Sequence, residues 1–193
     1  METSVKNIHG ELIKACREND PRAQMQIYKL YYKAMYNTAL RIVNHTAEAE
    51  DVMQEAFLDA FRRIDSYREE ASFGSWLKRI VVNRSIDALK KIRDMVSIDE
   101  IEEQFPNGNA DEEDYMLVLS SRVEEIRMAI HSLPDNYRVI LSLHLLEGYD
   151  HEEIAQILEI TNNLSRIRFF RAKKKLLEML SENKQSGSYY KSN

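Results

Sequence analysis

The sequence predicts an all-α protein: two small helical domains joined by an acidic flexible linker, the second containing a helix-turn-helix. Three observations predict it. Gly and Pro number only 5 and 3 among 193 residues while charged residues reach 31%, a composition that suits helices and leaves little material for strands and tight turns. Apolar residues recur at helical spacing on both sides of residues 96–112, where the periodicity stops and acids gather. Positive charge is concentrated in two stretches, Lys78–Arg93 with six Lys or Arg against one acid, and Arg166–Lys175 with six and none.

The formal net charge of −5 taken whole argues against nucleic-acid binding. Its distribution along the chain argues the other way. Residues 1–95 hold 16 basic and 14 acidic groups, residues 96–125 hold 1 and 10, and residues 126–193 hold 10 and 8. Phosphate affinity depends on local clusters, so two basic helices on separable modules point to a protein that grips one nucleic acid at two points. Cys16 is the only cysteine, which rules out an intramolecular disulfide or a cysteine-rich metal site and fits a reducing compartment. No apolar run approaches the ~20 residues that span a bilayer. Met1-Glu2-Thr3-Ser4-Val5-Lys6 also lacks the basic-then-apolar layout of a signal peptide. The expectation is a cytoplasmic protein without direct membrane insertion.

The first domain, 1–95, reads as four helices. The first covers residues 8–19 and stops at Asn19-Asp20, and Pro21 suits the first position of the second. That helix runs toward Asn44 and places Ile27, Leu30, Tyr31, Ala34, Met35, Thr38 and Ile42 on its buried face. Thr46 is the expected N-cap of a third helix, with Glu48 and Glu50 in its favourable first turn. Its apolar face is Val52, Ala56, Phe57, Ala60, Phe61 and Ile64. Ser72 or Ser75 caps a fourth helix reaching Arg93, with Leu77, Ile80, Val81 and Ala88 on the core side.

Residues 96–112 form the linker, with Asp99-Glu100, Glu102-Glu103 and Pro106-Asn107-Gly108-Asn109 in it. Extended, its seventeen residues reach roughly 55–60 Å at about 3.3–3.6 Å each. That exceeds one DNA turn of about 34 Å. In the second domain, 113–183, one helix runs to His131 and Pro134 opens another bearing Ile140, Leu141 and Leu145. Gly148 ends that helix, Asp150 caps a short one over Glu152–Leu158, and a longer one runs from Asn162 to Leu180. The tail 184–193, with Ser186-Gly187-Ser188, is expected to be disordered.

A short helix, a tight turn and a basic second helix is the layout that puts a recognition helix in the major groove. At 100° per residue, Ser165, Phe169, Ala172 and Leu176 share one side and should face the domain. Asn163, Ile167, Phe170, Arg171 and Lys174 share the other and would face DNA, with Arg166 at the edge. Arg bonds guanine in bidentate fashion, Lys and Asn hold phosphates or adenine, and an outward Phe suits a thymine methyl. The competing reading is a solvated basic helix whose lysines complement the dipole.

In the first domain, Asp51, Gln54 and Glu55 lie at i, i+3 and i+4, a polar face that is either simply solvated or a docking surface for a basic partner. On the fourth helix Arg79, Asn83 and Lys90 form a stripe bordered by Trp76. With nearby aromatics such as Tyr67, it can hold phosphates and read or stack the bases of a single strand. Taken alone, a tryptophan such as Trp76 is more often a core residue than a stacking platform.

Three stretches then resemble an RNA polymerase sigma factor of the extracytoplasmic-function class: AEDVMQEAFLDAFRRIDSY, SFGSWLKRIVVNRSIDALKK and LPDNYRVILSLHLLEGYDHEEIAQILEITNNLSRIRFFRAKKKL. With the N-terminal helices, the resemblance covers nearly all of residues 10–180. It implies that the first domain binds the clamp helices of the polymerase beta-prime subunit and melts the −10 element. It implies that the second binds the −35 element and the beta flap. Asp51, Gln54 and Glu55 match clamp-contacting positions. Tyr67 and Asn83 match the lining of a pocket for a flipped −10 base, with the loop Arg68–Phe73 over it. Arg166, Ile167, Phe170 and Arg171 match the −35 reading helix. An acidic connector in this family threads the polymerase cleft, where its carboxylates would mimic nucleic acid. An anti-sigma protein is a further implied partner, and no cofactor is implied.

The chain departs from the family pattern in two places. The turn Glu159-Ile160-Thr161-Asn162-Asn163 lacks the usual Gly, and the Asn residues are expected to make a left-handed turn feasible. Ser165 stands where the family prefers an apolar core residue, with Leu164 beside it to compensate. Rival readings are a stand-alone helix-turn-helix regulator acting without polymerase, a pure interaction protein, and an enzyme. His151-Glu152-Glu153 resembles the start of a zinc-peptidase HExxH, but Ala155 occupies the second His position.

Overall fold

A computed structural model describes residues 9–95 and 116–189. They form eight α-helices in two compact units that divide at Val96/Ser97. The acidic linker 96–112 lies outside the described residues.

In the first unit, α1 (Gly10–Arg17) ends before Asn19, whose φ of 59° is left-handed. Asp20 then caps α2 (Pro21–Val43), accepting from the Arg22 N–H at 2.8 Å, with Pro21 at the first helical position. The buried face of α2 is Ala23, Ile27, Met35, Thr38, Ala39, Ile42 and Val43. Leu30 and Ala34, expected in the core, are exposed. The face is rotated toward Ala39 and Val43, and α2 packs against both α3 and α4.

α3 (Thr46–Arg62) is capped by His45, whose Nδ1 accepts from the Glu48 N–H at 3.4 Å; Thr46, the expected cap, is the first helical residue. A 3-10 turn, Ile64–Ser66, leads into a loop. The Ser72 hydroxyl then accepts from the Ser75 N–H at 3.2 Å and starts α4 (Phe73–Met95). α4 packs against both α2 and α3. It therefore buries Val82, Ser85, Ile86 and Leu89 besides the expected Leu77 and Val81, while Ile80 and Ala88 are half-buried. At its start Gly74 lets the helix meet the Tyr31 ring, because a Cβ there would lie 2.9 Å from Cε1.

In the second unit, α5 (Met116–His131) is followed by α6 (Asp135–Leu141), with Pro134 at the N-cap. α6 widens into a π-helical turn, Ser142–Leu146, in which the Glu147 N–H reaches the Ser142 carbonyl five residues back at 2.9 Å. Ile140 and Leu141 are fully buried, but Leu145, expected beside them, is 50% exposed because the widened turn rotates it outward. Gly148 closes the turn at φ 81°. Asp150 forms a reciprocal capping box with Glu153 that starts α7 (His151–Leu158). α8 runs from Asn162 to Tyr189. That overruns the expected end at Leu180 and includes residues 184–189 of the expected disordered tail. Once a helix is nucleated each added residue costs little, and no Pro stops this one.

Asp59 joins α3 to α4 through Arg84, whose Nε lies 2.6 Å from Oδ2 and whose Nη2 contacts the same oxygen. Because Arg84 is partly exposed, Asp59→Ala should lower the urea-unfolding stability of the protein by about 1–2 kcal/mol, less than a buried charged hydrogen bond would. An Arg84→Ala background should remove most of that effect in a double-mutant cycle. Additive losses would show that the pair contributes nothing.

Candidate nucleic-acid interface

On α4, Arg79 and Asn83 stand one turn apart, and with Trp76 they line a single surface cleft whose other walls include Asp59, Arg63 and Arg84. Arg79 and Asn83 are exposed and Trp76 is half-buried. Three of the residues picked from the sequence thus share one cleft, with cationic, amide and aromatic groups together. Lys90 and Arg68 are exposed, but neither lines it.

Tyr67 and Phe73 are placed differently from the expectation of a base-facing role. They are 3% and 1% exposed, their rings 5.4 Å apart edge to face and each 5.4 Å from Trp76. The Tyr67 hydroxyl donates to the Ala71 carbonyl at 2.8 Å. Burial of ring and hydroxyl together leaves neither free to stack on a base in this conformation, so the two rings back Trp76 instead. The loop above them is tied to α1: Arg17 Nη2 donates to the Tyr67 carbonyl at 2.9 Å and lies 3.7 Å from the Glu69 carboxylate. Glu69 sits at φ 61°, a left-handed conformation that costs a non-glycine residue about 1 kcal/mol.

Asp51, Gln54 and Glu55 are all exposed on α3. Arg84 also reaches Glu55, with Nη1 3.4 Å from Oε2. The Asp59 hydrogen bond, above all, raises the pKa of the Arg84 guanidinium and fixes its charge. One side chain therefore touches the acidic stripe and lines the cleft. Sequence reasoning missed Arg84 and Asp59, although Asp59 continues the i, i+4 series from Asp51 and Glu55.

In the second unit the turn between α7 and α8 is made by Glu159, at φ 55° and ψ 44°, rather than by an asparagine. The Thr161 hydroxyl caps α8, accepting from the Leu164 N–H at 3.2 Å. Asn163, Arg166, Ile167, Phe170, Arg171 and Lys174 are all exposed, Phe170 at 70%. Ser165, Ala172 and Leu176 are buried beneath them, and Phe169 is half-buried. Arg166 Nε donates to Asn162 Oδ1 at 2.9 Å, which lays the guanidinium along its own helix.

Ser165 is not a flaw in an apolar core. Its hydroxyl lies 3.0 Å from His151 Nδ1, so the buried oxygen has a partner. The His151 ring stacks on His144, with centroids 4.7 Å apart and planes at 12°, and Phe169 meets both rings edge-on. His144 Nδ1 lies 2.8 Å from the Tyr149 carbonyl, which only a protonated Nδ1 can satisfy. The sequence brought His151 up only as the start of an HExxH string that Ala155 breaks. Among the described residues no group of three His, Cys, Asp or Glu side chains is placed to hold a metal. Among them also no helix is long and apolar enough to cross a membrane.

Residues 27–94 match Sigma-70 region 2, and residues 123–176 match Sigma-70 region 4. The ECF RNA polymerase sigma-E factor of Escherichia coli (strain K12) is 32% identical over 170 residues, covering 84% of this chain and 88% of that protein. The ECF RNA polymerase sigma factor SigW of Bacillus subtilis (strain 168) is 28% identical over 179 residues, covering 88% and 95%. Among solved structures, the sigma factor RpoE of Bartonella quintana, in complex with the anti-sigma factor NepR, has a TM-score of 0.54 at 20% identity, covering 81% of this chain and 96% of that one. CnrH, in complex with the cytosolic domain of CnrY, has a TM-score of 0.52 at 19% identity, covering 89% and 96%. Two regions of one family in the right order, together with a relative of this similarity and coverage, leave one conclusion: the chain belongs to the extracytoplasmic-function class of RNA polymerase sigma factors, which bind core polymerase and direct promoter-specific initiation.

Proposed function

We propose that the work of promoter recognition divides between the two basic helices. The α4 cleft captures an opened −10 strand: Arg79 holds phosphate, Asn83 reads a base edge and Trp76 supplies the aromatic wall. Tyr67 and Phe73 brace that wall, and Arg68 and Lys90 extend the cationic track. α8 reads the −35 duplex through Asn163, Arg166, Ile167, Phe170, Arg171 and Lys174. Asp51, Gln54 and Glu55 dock on the beta-prime clamp helices, and the second unit meets the beta flap. The protein acts in the cytoplasm, catalyses no reaction itself, and is held in check by an anti-sigma protein, as the neighbour solved with the anti-sigma factor NepR suggests by analogy.

The observation that carries this reading is the pairing of two cationic faces on separate units. On each, the opposite side of the same helix is buried, so the cationic face is carried by a helix anchored to its own unit. The deciding experiment adds the purified chain to sigma-free core polymerase and scores initiation at defined promoters. Binding to duplex DNA without directed initiation would instead mark a stand-alone regulator.

Arg171→Ala should cost holoenzyme promoter binding about 1–3 kcal/mol and relax preference at one upstream base pair, if the guanidinium reads guanine. Equal loss on every promoter variant would identify a phosphate contact. Asn83→Ala should weaken capture of a single-stranded −10 oligonucleotide by about 1 kcal/mol or more and slow opening of duplex promoters, leaving −35 binding unchanged. The double variant Asp51→Ala with Glu55→Ala should reduce affinity for core polymerase while shifting unfolding stability by no more than about 0.5 kcal/mol, since both sites are exposed. Wild-type core affinity in that variant would refute the docking assignment.

A further inference from the structure

The cluster beneath α8 has a chemistry that packing alone does not require. A serine that is 0% exposed occupies the first turn of the recognition helix, with its hydroxyl turned to a neighbouring element. The partner is an imidazole from the preceding helix, supported by a second imidazole from the π-helical turn and by the edge of Phe169. Each of these contacts joins α8 or its neighbour α7 to another element. Together they set how far the recognition helix stands out from its own domain and at what rotation.

We propose that His151, neutral and paired with Ser165, is a positioning residue that seats the recognition helix, so that reading of the upstream element weakens as the pH falls. The proposal rests on α8 being the helix that reads duplex DNA. His151 is surrounded by the His144 ring from the π-helical turn, Arg166 from α8 and Asp150 from its own helix start. Burial lowers its pKa below the ordinary 6.5, the His144 and Arg166 charges lower it further, and only Asp150 opposes them. The unfolded chain therefore binds this proton more readily than the folded one, so the seat's contribution is complete above the ordinary imidazole value and is lost as the pH falls from there through the lowered value of the folded state. A proton on His151 would also put a cation against the face of a second imidazole, beside Arg166. With Nδ1 protonated, the serine oxygen can only accept from it, and the serine O–H loses the acceptor it has in the neutral pair.

The test uses holoenzyme reconstituted from the full chain and core polymerase. Affinity is measured for a promoter with its intact upstream element and for one with that element scrambled, between pH 7.5 and 6.0. The ratio of the two isolates −35 reading from pH effects on the polymerase. In the wild type the ratio should fall about two- to fourfold over this range, because a single proton taken up at the ordinary imidazole value in the unseated state can shift the seat no further by pH 6.0. His151→Phe alone strands the Ser165 hydroxyl, so its ratio should be low at both pH values. His151→Phe combined with Ser165→Ala replaces both partners by apolar groups, so no buried hydroxyl is left without a partner. That double variant should recover a high ratio and hold it at pH 6.0.

A wild-type ratio that stays flat from pH 7.5 to 6.0, or a double variant that declines in parallel with it, would overturn the proposal while leaving DNA reading by α8 intact. A ratio near one for the wild type at pH 7.5 would instead overturn the −35 assignment itself. Circular dichroism of each variant at both pH values separates loss of the seat from loss of the fold.

Discussion

A helix that must hold a polyanion cannot draw its stability from the face that does so. Between Arg166 and Lys175 six cations and no acid share one helix, and like charges at i, i+3 and i+4 oppose helix formation. α8 is held instead by Ala172 and Leu176, by Phe169 against the two histidines, and by Ser165 against His151. The same constraint governs α4, whose buried line from Leu77 to Leu89 packs on two helices at once. Everything the protein can do with DNA depends on these apolar and hydrogen-bonded undersides.

α4 meets the constraint with an additional device. Its cation Arg84 is pulled back against the domain by Asp59 and Glu55, so one guanidinium holds the helices together while its neighbours Arg79 and Asn83 stay in the cleft. The arrangement divides labour along a short stretch of one helix: some charges fasten the scaffold and others remain open to a ligand. It also places the acidic stripe of α3 within reach of the cleft through a single side chain.

The aromatic group around Trp76 shows why a residue's type does not settle its role. Tyr67 and Trp76 have the same chemistry for stacking on a base. Tyr67 has its hydroxyl committed to Ala71 and its ring to Phe73, whereas Trp76 keeps part of its ring on the cleft wall. The difference comes from the loop, which Arg17 of α1 ties down from the opposite side. Nothing local in the stretch from Tyr67 to Phe73 announces a tether from fifty residues away.

The sequence by itself determined the order of the helices, the stop at Asn19-Asp20 before Pro21, Gly148 at the end of its helix, the cap at Asp150, and the outward face of α8. All of these follow from hydrogen bonding and periodicity within a few residues. It also carried the family, because Asp51-x-x-Gln54-Glu55 and the recognition-helix pattern are local strings. Tertiary structure alone decided which side of α2 faces inward, against Leu30 and Ala34, since that depends on how α3 and α4 pack against it. It decided that Glu159 rather than an asparagine takes the left-handed turn. It also decided that Ser165 belongs with His151: a hydrogen bond across fourteen residues exists only once two helices have packed, and no periodicity records it.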